Sequence, residues 1–253
     1  DLDLRYNFSH NIKRYSFINV LKFSNNQLTL QKTKKAFHLK KGLDYILSCI
    51  FLLYFGLILL IFHVVQYVVY NLGGQKAHQK IVEALNFSII MGWHLTGSTY
   101  SLTQQQPLKT DKTIIFVANH QSMFDIVGII WLLRKHTPLF ISKKELSKGI
   151  PSISYNLRVG KAALIDRKDP KQAIGEILRF SKYVYENNFS AVIFPEGTRS
   201  RNGQLKPFAV GGVATLLKKC PEALLVPIAI ENTGLFNPKG LFPLRSFTKM
   251  SWN

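Results

Sequence analysis

Two short stretches of this chain hold side chains whose types and spacing suit the transfer of a group. In the first, Asn119-His120-Gln121-Ser122-Met123-Phe124-Asp125, an imidazole stands five positions before a carboxylate. On one ideal helix the two would point about 140° apart, so they meet only if His120 lies in a turn and Asp125 in the first turns of a helix that follows. An aspartate that takes the proton of one ring nitrogen leaves the other as a base near neutral pH. The same residues would also make a polar capping turn, and spacing alone leaves both readings open. In the second stretch, Pro195-Glu196-Gly197-Thr198-Arg199-Ser200-Arg201-Asn202-Gly203, a carboxylate, a hydroxyl and two guanidiniums crowd together. Arginine offers a planar fork that matches phosphate oxygens, and glycine lets the backbone approach an anion closely. A solvated polar loop is the plainer alternative. A third guanidinium, in Ile165-Asp166-Arg167, either joins that set or pairs with its neighbour at the surface.

Missing motifs narrow the chemistry. The sequence has no G-x-S-x-G elbow, no H-E-x-x-H and no G-x-x-x-x-G-K-[ST] phosphate loop. Cys49 and Cys220 form no C-x-x-C pair, which excludes a disulfide scaffold and a Cys-ligated zinc site. Ser122 is the one nucleophile in reach of His120, and it reads better as a structural hydroxyl of the turn. No metal is expected.

Residues so far apart in the chain need a frame that collects them. From about Asp111, short apolar runs alternate with periodic segments. TIIFVA (113–118), AALI (162–165), AVIF (191–194) and LLVPIAI (224–230) read as strands buried on both faces. A helix is predicted to open at Asp169-Pro170, with Asp169 as cap, Pro170 in the first helical position and Gln172 at the capping-box position. Ile174, Ile177, Leu178 and Val184 trace one of its faces. Another helix, IVGIIWLLR, follows Asp125. Strands alternating with helices predict an α/β fold, a mixed, largely parallel sheet flanked by helices, with ligands beyond the carboxyl ends of its strands. His120, Arg167 and the 195–199 block all fall at such ends.

Ahead of the sheet, YILSCIFLLYFGLILLIF (45–62) carries no charge over 18 positions, and apolar residues continue through Val69. At 1.5 Å per residue this spans or nearly spans roughly 30 Å of hydrocarbon. A buried core helix is the alternative. Asn71-Leu72-Gly73-Gly74 is written in turn residues and precedes a second apolar segment, 81–95, interrupted by Glu83 and His94. A membrane-associated helix or two-helix hairpin is therefore expected at the N-terminal side of the sheet. A hairpin keeps both ends on one face of the membrane and resolves the tie left by basic residues on both sides of the apolar run.

The 253 residues include 33 Lys+Arg against 14 Asp+Glu, a formal net charge of +19, and 47% are hydrophobic. A disordered or collagen-like chain is excluded. Two polyanionic partners fit the charge, nucleic acid or an anionic membrane surface. Residues 45–70 decide for the membrane and against nucleic acid, which would leave them without a purpose.

NHQSMFD (119–125) and FPEGTRSR (194–201), with SKKEL and ALIDR between them and LVPIAI after them, together resemble the glycerolipid acyltransferase family. Members of that family acylate glycerol-3-phosphate or lysophosphatidic acid. The likeness covers roughly residues 110–230. It implies that His120 is the catalytic base and Asp125 its partner. It implies that Pro195, Glu196, Gly197, Thr198 and Arg199 bind glycerol phosphate, with Glu196 on the glycerol and Arg199, Lys143 and Arg167 on the phosphate. Pro227 matches the family's Pro after the last motif strand. The sequence departs from the pattern after Pro151, where Ser152-Ile153-Ser154 stands in place of a glycine three residues on. Such proteins usually continue with further strands beyond the position of Asn253, so a truncated C-terminus is expected.

On this resemblance His120 deprotonates a glycerol hydroxyl, which attacks the thioester of an acyl donor directly, the oxyanion being met by backbone N–H groups at the start of the helix after His120. No cofactor is implied; acyl-CoA or an acyl-carrier protein is the co-substrate, a membrane lipid is the acceptor, and an anionic membrane surface is the partner. The sn-2 hydroxyl of 1-acyl-sn-glycerol-3-phosphate is the favoured acceptor. Glycerol-3-phosphate, another lysolipid such as a lyso-ornithine lipid, or a catalytically silent lipid-binding role are the alternatives. The organisation expected is a poorly ordered basic segment 1–39, a membrane-anchoring segment 40–100 and an acyltransferase domain 101–253 on the cytoplasmic face.

Overall fold

The computed structural model describes residues 37–108, 111–200 and 204–253. Most of the segment expected to be weakly ordered, 1–39, and Arg201 to Gly203 of the second motif lie outside them. Residues 46–253 form one compact unit, which holds both the sheet and the hairpin. In chain order the elements are a helical run α1 (Leu2–Trp93), β1 (Thr99–Leu102), β2 (Ile114–Ala118), α2 (Phe124–Leu132), β3 (Pro138–Lys143), α3 (Ile153–Val159), β4 (Ala163–Ile165), α4 (Pro170–Glu186), β5 (Ser190–Ile193), α5 (Val210–Leu217), β6 (Leu224–Ile228), β7 (Ile230–Glu231), α6 (Thr233–Phe236) and β8 (Lys249–Trp252).

The four apolar runs do become strands. They join β3 in a parallel sheet of order β4-β3-β5-β2-β6, with Ile114 of β2 in register with Ser190 of β5 and Leu224 of β6. The run LLVPIAI is divided between two sheets, because β7 leaves to pair antiparallel with β8, which pairs parallel with β1. β6 stays as the edge strand of the five-stranded sheet, where Pro227 costs no ladder bond on its open side. Since the five strands run the same way, their carboxyl ends share one edge, and every turn with candidate chemistry opens there.

On one face of the sheet, α4 packs Ile177, Phe180 and Val184 against Ile115, Leu139 and Ala191. Ile174, expected on that face, is half exposed, and Phe180 holds the buried position. Asp169 caps the helix by accepting Gln172 N–H at 3.0 Å. The capping box is not reciprocal. Gln172 Oε1 accepts Asp166 N–H at 2.8 Å and its Nε2 donates to Leu164 O at 3.0 Å, so the glutamine ties α4 to the end of β4.

The other face carries the hairpin. α1 breaks at Gly74 (φ 68°), a conformation that glycine adopts without a Cβ penalty. The arms on either side run antiparallel: Tyr54 Oη donates to Ser88 O at 2.8 Å, and Gln66 Oε1 lies 3.3 Å from His78 Nε2. Gly92 makes the close approach possible, since a Cβ there would fall 2.5 Å from the Tyr54 ring. Phe51, Phe55, Leu85, Ile89 and Trp93 are buried with Phe116, Phe124 and Ile129 in one core. The opposite side of the first arm, Ile46, Ile50, Leu53, Leu57, Leu60, Val64, Val68 and Leu72, is exposed at spacings of three and four. By length and composition, 37–96 is apolar enough to cross a membrane, and 22% of its most apolar window is buried. One face of the first arm is thus part of the core and the other is an exposed apolar stripe.

Candidate active site

His120 sits just past β2 in the turn before α2, and Asp125 lies in the first turn of that helix. The placement meets the geometric condition set by their spacing: His120 Nδ1 is 2.7 Å from Asp125 Oδ2. Asp125 is wholly buried, whereas the imidazole keeps a small opening and stacks on Phe194 with ring centroids 4.2 Å apart. Because a carboxylate offers only acceptors, the Nδ1 proton belongs to this bond and Nε2 is left as the base. Asp125 Oδ2 also accepts Gln121 N–H at 2.7 Å and Ser122 N–H at 2.9 Å, and Oδ1 accepts the Thr233 hydroxyl. Those two amides, in the turn ahead of α2, are therefore spent on the aspartate. Ser122 is buried and its Oγ accepts Phe124 N–H at 3.1 Å, as a structural hydroxyl of the turn does.

The second motif folds around the backbone of His120. Gly197 N–H donates to Phe194 O at 3.0 Å and closes a tight turn, for which Gly197 takes φ 68°. Glu196 Oε1 accepts His120 N–H at 2.8 Å and its Oε2 accepts Lys206 N–H at 3.1 Å. Ser200 N–H returns a bond to His120 O at 2.7 Å. Glu196 is buried, and each of its carboxylate oxygens accepts a backbone N–H from one of the two loops.

The other predicted residues are brought together. A cavity of about 1320 Å³ is lined by His120, Lys143, Arg167, Pro195, Gly197, Thr198 and Arg199. Lys143 ends β3 in register with Ile165 of β4, which puts Lys143 and Arg167 at neighbouring strand ends. Burial pulls the Arg167 guanidinium down and Glu145 pushes it up; an arginine stays charged through such shifts. The apolar lining includes Ile126, Ile141, Leu146, Ile165, Ile193 and Phe194. The lining thus combines groups that suit an anion with apolar side chains that suit a hydrocarbon chain. Among the described residues no group of three or more His, Cys, Asp or Glu is placed to hold a metal ion.

A family model described as Acyltransferase matches residues 100–231, just over half of the chain. The chain belongs to that family. Among curated relatives of this acyltransferase chain, a 1-acyl-sn-glycerol-3-phosphate acyltransferase of Cocos nucifera is 37% identical over 121 residues, covering 48% of this chain and 38% of that protein. One of Helicobacter pylori with the same name is 34% identical over 140 residues, covering 54% of this chain and 56% of that protein. The chain spans about two fifths to just over half of the length of these relatives. The crystal structure of the 1-acyl-sn-glycerophosphate (LPA) acyltransferase PlsC from Thermotoga maritima superposes with a TM-score of 0.56, over 78% of this chain and 82% of that one. At 24% identity that likeness concerns the fold.

Sequence reasoning missed several residues of this candidate site. Lys206 lines the cavity, with Nζ 2.7 Å from Thr198 Oγ1 and 2.8 Å from Arg199 O. Asn119, quoted only as part of a motif, clasps Ile230 by both backbone groups, at 2.8 and 2.6 Å. Thr233 reaches Asp125 from more than a hundred residues away. No spacing signal announces such partners, because they meet only through the order of the strands.

Proposed function

We propose that this chain transfers an acyl group from a thioester, acyl-CoA or acyl-carrier protein, to the free sn-2 hydroxyl of 1-acyl-sn-glycerol-3-phosphate, giving phosphatidic acid. The observation that carries this reading is the buried Asp125 held on His120 Nδ1 at the wall of a cavity that also holds Lys143, Arg167 and Arg199. Nε2 of His120 takes the hydroxyl proton as the oxygen attacks the thioester carbon. The new ester C–O bond forms, the C–S bond breaks, and the imidazolium returns the proton to the departing thiolate. Asp125 stabilises the imidazolium between these steps. The cations hold the acceptor's phosphate, which does not react, and so fix the hydroxyl near the base. The exposed apolar stripe of α1 enters the bilayer that holds acceptor and product, with the site on the cytoplasmic face. The names of the curated relatives support the choice of acceptor.

The test is acyl transfer to radiolabelled lysophosphatidate by membranes containing the protein, with acyl-CoA and acyl-carrier-protein donors. His120→Ala is expected to lose about 10²–10⁴-fold in kcat, and Arg199→Ala to raise the acceptor KM. Full activity in His120→Ala would overturn the mechanism. No product from membrane-bound wild type with either donor would remove lysophosphatidate as acceptor.

A further inference from the structure

Thr233 opens α6, is completely buried, and lies beyond the stretch that the family model matches. The two oxygens of Asp125 are unequally supplied. Oδ2 takes three donors, His120 Nδ1–H and the N–H groups of Gln121 and Ser122. For Oδ1 the donor among the described residues is the hydroxyl of Thr233. Gln121 Oε1 lies 3.4 Å from the same hydroxyl, but it already receives Gly234 N–H at 3.2 Å. A threonine has one proton to give, and the ionised acceptor binds it more strongly. A carboxylate with no exposed surface has no water to replace that donor.

We propose that Thr233 is a positioning residue for acyl transfer, the outer member of a Thr233–Asp125–His120 chain. The inference rests on the acyl-transfer reading of the site. A donor on Oδ1 holds the carboxylate plane so that Oδ2 stays on the imidazole, and it draws off charge that Oδ2 would otherwise offer to the ring. Without it Asp125 holds the imidazolium more tightly, and less of the enzyme carries a free base at a given pH. The other charged groups around the pair are Glu196, committed to two backbone N–H groups, and Lys143, Arg167, Arg199, Lys206 and Lys239 along the cavity. A substitution at 233 alters none of them.

Thr233→Val keeps the shape of the side chain and removes the proton, whereas Thr233→Ser keeps the proton. In the membrane assay, the valine variant is expected to lose about tenfold in plateau kcat and to move the acidic limb of the pH–rate profile up by about half a pH unit or more. Both KM values should stay within about twofold, and the serine variant should restore kcat and profile. A packing role would leave the profile where it is. Wild-type kcat and profile in Thr233→Val, or equal impairment in Thr233→Ser, overturns the proposal. ¹⁵N NMR of the His120 imidazole across pH, in detergent-solubilised wild type and Thr233→Val, reads the same displacement without turnover. That measurement separates failure of this inference from a wrong choice of acceptor: an unmoved titration overturns it whatever the substrate. Should the valine variant not fold, Thr233→Ala is judged by the same two readouts.

Discussion

Glu196 and Arg199 stand three positions apart in one motif and do opposite things. Arg199 is exposed at the cavity, where it can meet a ligand, whereas Glu196 is buried and spends both oxygens on backbone donors of two loops. Glu196→Ala should therefore lower stability by about 3 kcal/mol, read as a shift in denaturation midpoint, and Arg199→Ala should leave the midpoint unchanged while it weakens acceptor binding. A Glu196→Ala protein as stable as wild type would return the carboxylate to the substrate. The difference was invisible in the sequence because both side chains are charged and sit in one loop. His120 and Asp125 were more legible, since a spacing of five across a strand-to-helix turn leaves few geometries in which the two meet. Thr233 and Lys206 carried no local signal, because each finds its partner through folds of the chain that no spacing encodes.

Among the elements, strands with uninterrupted apolar runs were readable, and those that mix polar residues were not. β3 (PLFISK) begins with proline and ends in lysine, and β1 (TYSL) and β8 (KMSW) are short and partly polar, so nothing set them apart from loops. Yet β8 supplies Trp252, which stacks on Trp93 with centroids 5.9 Å apart and presses against α2. At the contact with α2 stands Gly128, where a Cβ would fall 2.1 Å from the Trp252 ring. The ring is buried and has nowhere to go. Gly128→Ala should cost about 1–3 kcal/mol, measured by thermal unfolding in detergent; an unshifted melting curve would mean that the small sheet moves freely against α2. The helix α4 shows the limit of capping signals. Its cap was correctly placed, but the glutamine at the box position found better partners on β4.

For the molecule as a whole, charge and apolar surface act on the same partner by different ranges. In the proposed membrane-bound state, the net charge of +19 acts on anionic lipid over a Debye length, while the exposed stripe of α1 acts by burial. Leu53→Glu together with Leu57→Glu, both on that stripe, should lower partitioning onto anionic vesicles by about two orders of magnitude or more, with the fold retained by circular dichroism. Raised salt should weaken wild-type binding only in part. If the double variant bound vesicles as wild type does, the stripe would not be the surface that enters lipid. The other side of that same arm places Phe51 and Phe55 edge-on against Phe124, the neighbour of Asp125. The hairpin is consequently not an interchangeable tether. A generic hydrophobic segment of equal length, grafted in place of 46–93, would lose the aromatic support beneath the turn that holds His120 and Asp125, so such a chimaera should lose the proposed activity even where it still reaches the bilayer.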